Sequence, residues 1–175
     1  MNKKNKYIIS GLISVIALIA LDQFTKYLAI VHLKDTDGIS IIDGVFRLHY
    51  LENRGAAFGI MQDQQLYFII SGIIITLLAI YIYIKIPLKK NYLPLHLCLI
   101  FLVSGAIGNM IDRIINRFVV DFLYFELINF PIFNVADIYV TVTMFFLVLL
   151  LIFKYKEADI DQIWYEVKLK KRIPK

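Results

Sequence analysis

Apolar residues in this chain gather into four long runs separated by short polar stretches. They span Tyr7 to Val31, Leu66 to Ile84, Leu93 to Ile111 and Phe133 to Phe153. A helix crossing a hydrocarbon core of about 30 Å needs roughly 20 apolar residues, and each run reaches that length. The second and third contain no charged residue. The pattern predicts an all-α membrane protein of four transmembrane helices. The first run follows Lys3, Lys4 and Lys6, as a cleavable signal peptide would. Apolar character resumes past Asp22, however, with no small-residue cleavage site, so the run is expected to be a retained helix.

Between the first two runs the period changes from helical to alternating. Ile39 to Ile42, an Asp43-Gly44 turn, and Val45 to Leu51 predict a small β-hairpin, in which Phe46, Leu48 and Tyr50 alternate with Arg47 and His49. Beyond Lys154, Ile160, Ile163, Trp164 and Val167 return to helical spacing beside a basic cluster, which predicts an amphipathic tail lying on the inner leaflet. Residues 1–153 therefore form the four-helix domain, with outer segments at 32–65 and 112–132, and residues 154–175 a basic cytoplasmic tail.

Composition agrees with a membrane setting. Of 175 residues, 59% are hydrophobic, more than a soluble domain of this size can bury. The formal charge of +5 would suit nucleic acid, but the basic residues flank apolar runs and are not interleaved with aromatics. Lys3, Lys4 and Lys6, then Lys85, Lys89 and Lys90, then Lys154, Lys156, Lys168, Lys170, Lys171, Arg172 and Lys175 hold thirteen of the 19 basic residues. Cytoplasmic flanks are enriched in Lys and Arg, so both termini are expected inside and the segments 32–65 and 112–132 outside. The single cysteine, Cys98, lies in an apolar run and offers neither a disulfide nor a metal site.

Candidate chemistry narrows to aspartates. Ser104 has no Lys or His one turn away on its outer side, and His32, His49 and His96 are too scattered to hold a metal. Asp22 and Lys26 stand at i and i+4 in the first run, Asp112 ends the third, Asp121 follows Val119-Val120, and Asp137 opens the fourth. Gly105, Gly108, Asn109 and Asp112 share one stripe, as do Asn134, Asp137 and Thr141. Carboxylates at this depth cost roughly 2.5–3.5 kcal/mol on insertion scales and tend to be kept for function. Two readings stand side by side. A pair of carboxylates sharing a proton can activate water, as in an aspartyl peptidase. Alternatively, the acids pair with Lys26, Arg54, Arg113 and Arg117 to join the helix ends, or serve as an ion relay in a small transporter subunit.

Five ordered motifs weigh between these. LDQFTK (Leu21 to Lys26), ENRGAAFG (Glu52 to Gly59), SGAIGNMIDR (Ser104 to Arg113), VVDF (Val119 to Phe122) and FNVAD (Phe133 to Asp137) resemble the lipoprotein signal peptidases, or signal peptidase II, in sequence, order and spacing. Ser104, where that family commonly has glycine, is a small-for-small departure. The resemblance implies a bacterial multi-pass plasma-membrane aspartyl endopeptidase, with no cofactor or metal and its site near the outer face. Its partners would be lipid-modified prolipoprotein substrates and membrane lipids, not nucleic acid, and it would act as a monomer. Cleavage is implied just before a diacylglyceryl-modified cysteine. On the motif positions, Asp121 and Asp137 become the catalytic pair. Asp22, Lys26, Asn53, Gly108, Asn109, Asp112, Arg113 and Asn134 become supporting or substrate-binding residues, with Asp112 and Arg113 bracing the end of the third helix.

Overall fold

In a computed structural model of the chain, which describes residues 2–55 and 61–169, the four apolar runs are helices: α1 (Lys3–Leu33), α2 (Gln65–Lys85), α3 (Leu93–Asn116) and α4 (Val135–Leu149). A short π-helical turn, Leu150–Lys154, prolongs α4, so its continuous span is Val135–Lys154. All four are long and apolar enough to cross a bilayer. Of the five motifs, Ala56 to Gly59 of ENRGAAFG lie outside the described residues.

α3 is the hub. Half of its most apolar stretch is buried, whereas the other three helices leave most of theirs to lipid, and α3 packs on each of them. Close approach explains its small residues. A Cβ added at Gly105 would come within 2.6 Å of the Ala136 carbonyl oxygen on α4, and one at Gly108 within 2.5 Å of Asp22 Oδ2 on α1. No side chain fits in either gap without moving backbone or a buried carboxylate.

The hairpin forms where its sequence predicts, as β1 (Ile39–Ile42) and β2 (Phe46–Asn53). Unforeseen is a third strand, β3 (Val119–Tyr124), which pairs antiparallel with β2 to give the order β1-β2-β3. A two-stranded ribbon is marginal in water, and the third strand with its buried face removes that weakness. Val120 and Phe122 join Ala29 and Leu33 of α1 in a small apolar cluster that seats the sheet on the end of the bundle. α3 ends at Arg117, whose φ of 67° is left-handed and turns the chain back into β3. At the opposite end a helix, α5 (Glu157–Leu169), follows Tyr155. Its Ile160 and Ile163 pack on a cluster containing Ala79, Ile86, Tyr92 and Tyr155, and so lie against the bundle. The expectation for Trp164 and Val167 falls on side chains outside those described.

Candidate active site

At the sheet end of the bundle, the local sequence places Asp137 through helix capping. Asn134 has extended backbone before α4, and its side-chain oxygen accepts from the Asp137 backbone N–H at 3.0 Å. Asp137 Oδ2 accepts in return from the Asn134 backbone N–H at 3.1 Å. This reciprocal capping box satisfies two otherwise orphaned donors and fixes the carboxylate. The Asn134 amide then donates to Asp121 Oδ1 at 2.6 Å. One asparagine therefore touches both aspartates.

Asp121 reaches this point on β3. Register aligns Leu51 with Asp121, and Asn53, two residues further along β2, donates to Asp121 Oδ2 at 2.8 Å. Asn109 of α3 donates to Asp137 Oδ1 at 2.7 Å. Each carboxylate thus accepts two N–H bonds, all from uncharged donors. Neither makes an ion pair among the described residues. Asp121 is 1% exposed, and its carboxyl is pushed up to about 7. Burial is the largest cause and the neighbouring Asp137 charge the next, opposed by the bonds from Asn53 and Asn134 and by Lys26. Both aspartates line one half-open cavity of about 450 Å³, along with Asn53, Asn109, Arg113, Phe68 and the segment Phe130 to Phe133.

A second group lies deeper. Lys26 Nζ sits 2.9 Å from Asp22 Oδ2, 3.0 Å from Asp112 Oδ2 and 3.0 Å from Asn109 Oδ1, with the two acids and the lysine almost fully buried. Asp22 Oδ1 accepts from the Ala136 backbone N–H at 2.9 Å, and Asp112 Oδ2 from that of Val120 at 3.1 Å. The cluster thereby ties α1 and α3 to the starts of α4 and β3. Asn109 joins the two groups, since its Oδ1 accepts from both Lys26 and the Asn134 amide at 3.1 Å. With its oxygen so occupied, its NH2 must face Asp137.

All ten predicted residues lie in this assembly. Arg113 sits apart from Asp112. Its guanidinium lies over the Phe68 ring at 4.7 Å and donates to the Gly55 and Asn109 carbonyl oxygens at 3.3 Å each. Lys26, pointing in from α1, has taken Asp112. Gln23, given no role from sequence, donates to Asp22, Asp112 and the Gly108 carbonyl at 3.1, 3.1 and 3.2 Å. A glutamine beside an aspartate inside an apolar run was the available signal. Gly108 leaves the space that the Asp22 carboxylate fills.

Four spanning helices, a small sheet on one end and two aspartates that line one cavity without forming an ion pair among the described residues define a polytopic membrane protein with a hydrolase-like centre. Comparisons with known proteins narrow the class. A family model described as signal peptidase (SPase) II matches residues 14–153, and the chain belongs to that family of membrane peptidases. The lipoprotein signal peptidase of Clostridium tetani strain Massachusetts / E88 is 44% identical over 150 residues, covering 83% of this chain and 92% of the relative. That of Streptococcus thermophilus strain CNRZ 1066 is 42% identical over 139 residues, covering 79% and 90%. Among solved structures, a bacterial membrane enzyme determined by the in meso method at 2.3 Å superposes with a TM-score of 0.75 at 30% identity, covering 86% of this chain and 94% of that one.

Proposed function

We propose that this protein is an aspartyl endopeptidase that removes signal peptides from prolipoproteins immediately before a diacylglyceryl-modified cysteine, with Asp121 and Asp137 as the catalytic pair. One observation carries the reading: one asparagine holds both carboxylates, Asp121 through its side-chain amide and Asp137 through its backbone N–H, and the two face one cavity and form no ion pair among the described residues. Two such groups cannot easily both ionise, so the pair retains one proton. A water between them loses a proton to the ionised carboxylate as it attacks the scissile carbonyl. The protonated partner donates to the carbonyl oxygen, and the proton is later passed to the departing amine. Asn53, Asn109 and Asn134 hold both carboxylates without a formal charge that would fix their protonation. Arg113, held over Phe68 at the cavity wall, is placed to steady the substrate backbone.

The lipid setting fits this substrate. Ile138 and Val142 of α4 line the cavity while remaining partly open to the bilayer, so a lipid-modified peptide can enter sideways with its acyl chains still in hydrocarbon. The lysine distribution supports both termini in the cytoplasm, the site near the outer face, a peptidase domain over 1–153 and a cytoplasmic tail over 154–175. The protein acts as a monomer without a cofactor. Purified protein incubated with a lipid-modified prolipoprotein should release the signal peptide, seen as a mass shift. An unchanged substrate mass with folded wild-type protein excludes the proposal.

A further inference from the structure

At the end of the bundle far from the aspartates, the first turns of α1 and the last turn of α2 enclose a second polar cavity, of about 220 Å³. Lys4, Lys85 and Lys89 line it and no carboxylate does. None of the three lysines forms an ion pair among the described residues, and Lys85 is engaged only with the face of Tyr81, at 5.5 Å. The acids of α5, at the same end of the bundle, do not line it, and Asp159 is held by Asn91 and the Lys156 backbone. The α2 C-terminus brings about half a negative charge from its carbonyls, which three ammonium groups outweigh.

The wall is built rather than incidental. Tyr7 and Tyr83 stack at 5.9 Å, the Tyr83 hydroxyl donates to the Tyr7 carbonyl at 3.4 Å, and both rings abut the buried His96 ring. Gly11 makes room for this, since a Cβ there would collide with the Tyr83 hydroxyl. The rest of the lining is apolar, from Ile8, Ile84 and Leu88, and leads onto the exposed face of α1 at Ile9, Leu12, Ile13 and Ile16.

We infer that this cavity is a binding site for an anionic membrane phospholipid, distinct from the aspartate centre. Its phosphodiester headgroup sits among Lys4, Lys85 and Lys89, and its acyl chains lie along α1. Three unpaired cations beside a hydrocarbon-facing stripe match an amphiphile with a negative head. A free phosphate would leave the apolar side unfilled. Basic pockets between helix ends on the cytoplasmic side are suited to such headgroups.

The test uses the full chain purified in a mild detergent, with phosphatidylglycerol, phosphatidylcholine or inorganic phosphate added, and reads bound lipid by native mass spectrometry and the midpoint of thermal unfolding. Wild-type protein should retain phosphatidylglycerol and gain thermal stability from it, but not from the other two. The Lys4→Gln/Lys85→Gln/Lys89→Gln variant should bind it on the order of a hundredfold more weakly, at about fivefold per lysine. A Lys90→Gln/Lys154→Gln/Lys156→Gln variant of the same net charge should bind as wild type does. If the first variant fails to fold, the three single substitutions replace it, each with about a fivefold loss. Equal binding by the first variant and wild type overturns the inference, as does equal weakening in both triple variants. Equal stabilisation by phosphatidylcholine, or by inorganic phosphate alone, overturns it too.

Discussion

Two pairs of aspartates lie at the same end of this bundle, and their surroundings separate them. Asp22 and Asp112 hold Lys26 between them at 2.9 and 3.0 Å and accept backbone N–H groups from the first turns of other elements. Their charge is neutralised and their geometry is used for joining. Asp121 and Asp137 receive only neutral amide and backbone donors, touch one asparagine in common and face a cavity. Carboxylates held close together without an ion-pair partner are costly, and on the proposed function that cost sits where proton transfer uses it. Asp121 is as buried as Asp22 and Asp112 while Asp137 is half-buried at the cavity, so burial alone is not what distinguishes the two pairs. The location of the compensating charge is.

The largest effect expected from this contrast lies in activity. Asp121→Asn and Asp137→Asn should each lower cleavage by about a thousandfold or more, with the double variant scarcely worse, because the two groups act as a unit. Bound, uncleaved substrate is the expected state of either. A cleavage time course in lipid with a parallel folding assay measures it. Wild-type-like turnover by either folded variant would restore the transporter reading. In stability the order reverses. Lys26→Met leaves two buried carboxylates unpaired and should cost about 3–5 kcal/mol, read as a steep fall in thermal midpoint or in folded yield. A midpoint within a degree of wild type would show that Asp22 and Asp112 do not depend on the lysine.

Much of this was legible in the sequence, and the misses have physical causes. The four spans and the hairpin follow from run length and alternation, and motif order singles out ten residues that the structure brings together. The third strand did not, because Val119 to Tyr124 is a short apolar run whose partner is set by tertiary contact with β2 and not by any local signal. Without that strand, the approach of Asn53 to Asp121 is invisible, since it depends on the register aligning Leu51 with Asp121. Asp112 and Arg113, both expected to brace the end of the third helix, hold different partners there, because successive helical residues point about 100° apart and Asp112 faces α1 while Arg113 faces α2.

A pH series sharpens the contrast from one side. The Asp121 carboxyl is raised to about 7 in the folded protein, against about 3.9 unfolded. The folded state therefore binds more protons between those values, and the stability this group contributes is full below pH 4 and lost as pH rises through 7. Between pH 5 and 8, wild type should lose up to about 3 kcal/mol that Asp121→Asn does not lose, so the wild-type thermal midpoint should fall relative to that of the variant as pH rises. Cleavage should also fall above pH 7 as the pair gives up its shared proton. A midpoint gap that is constant across the range would place the Asp121 titration elsewhere.

The smallest effect is the most discriminating, because Asp112 stands nine residues before Asp121 and could be taken for its catalytic equal. Asp112→Asn keeps the shape and one acceptor oxygen, so the bond from the Val120 N–H can persist. What it removes is one of two negative charges on Lys26, and Asp22 still compensates that ammonium at 2.9 Å. The expected cost is about 1–2 kcal/mol, the range for weakening a hydrogen bond to a charged group. Activity should fall only several-fold, through looser placement of Asn109, whose oxygen Lys26 holds at 3.0 Å and whose amide holds Asp137 at 2.7 Å. Thermal unfolding and steady-state cleavage on the same preparation separate the two losses. A drop in activity that follows the drop in stability, and is relieved by assaying at lower temperature, is the signature of a joining role. Complete loss of turnover in a protein with an unchanged thermal midpoint would move Asp112 into the catalytic pair and dissolve the distinction between the two aspartate groups.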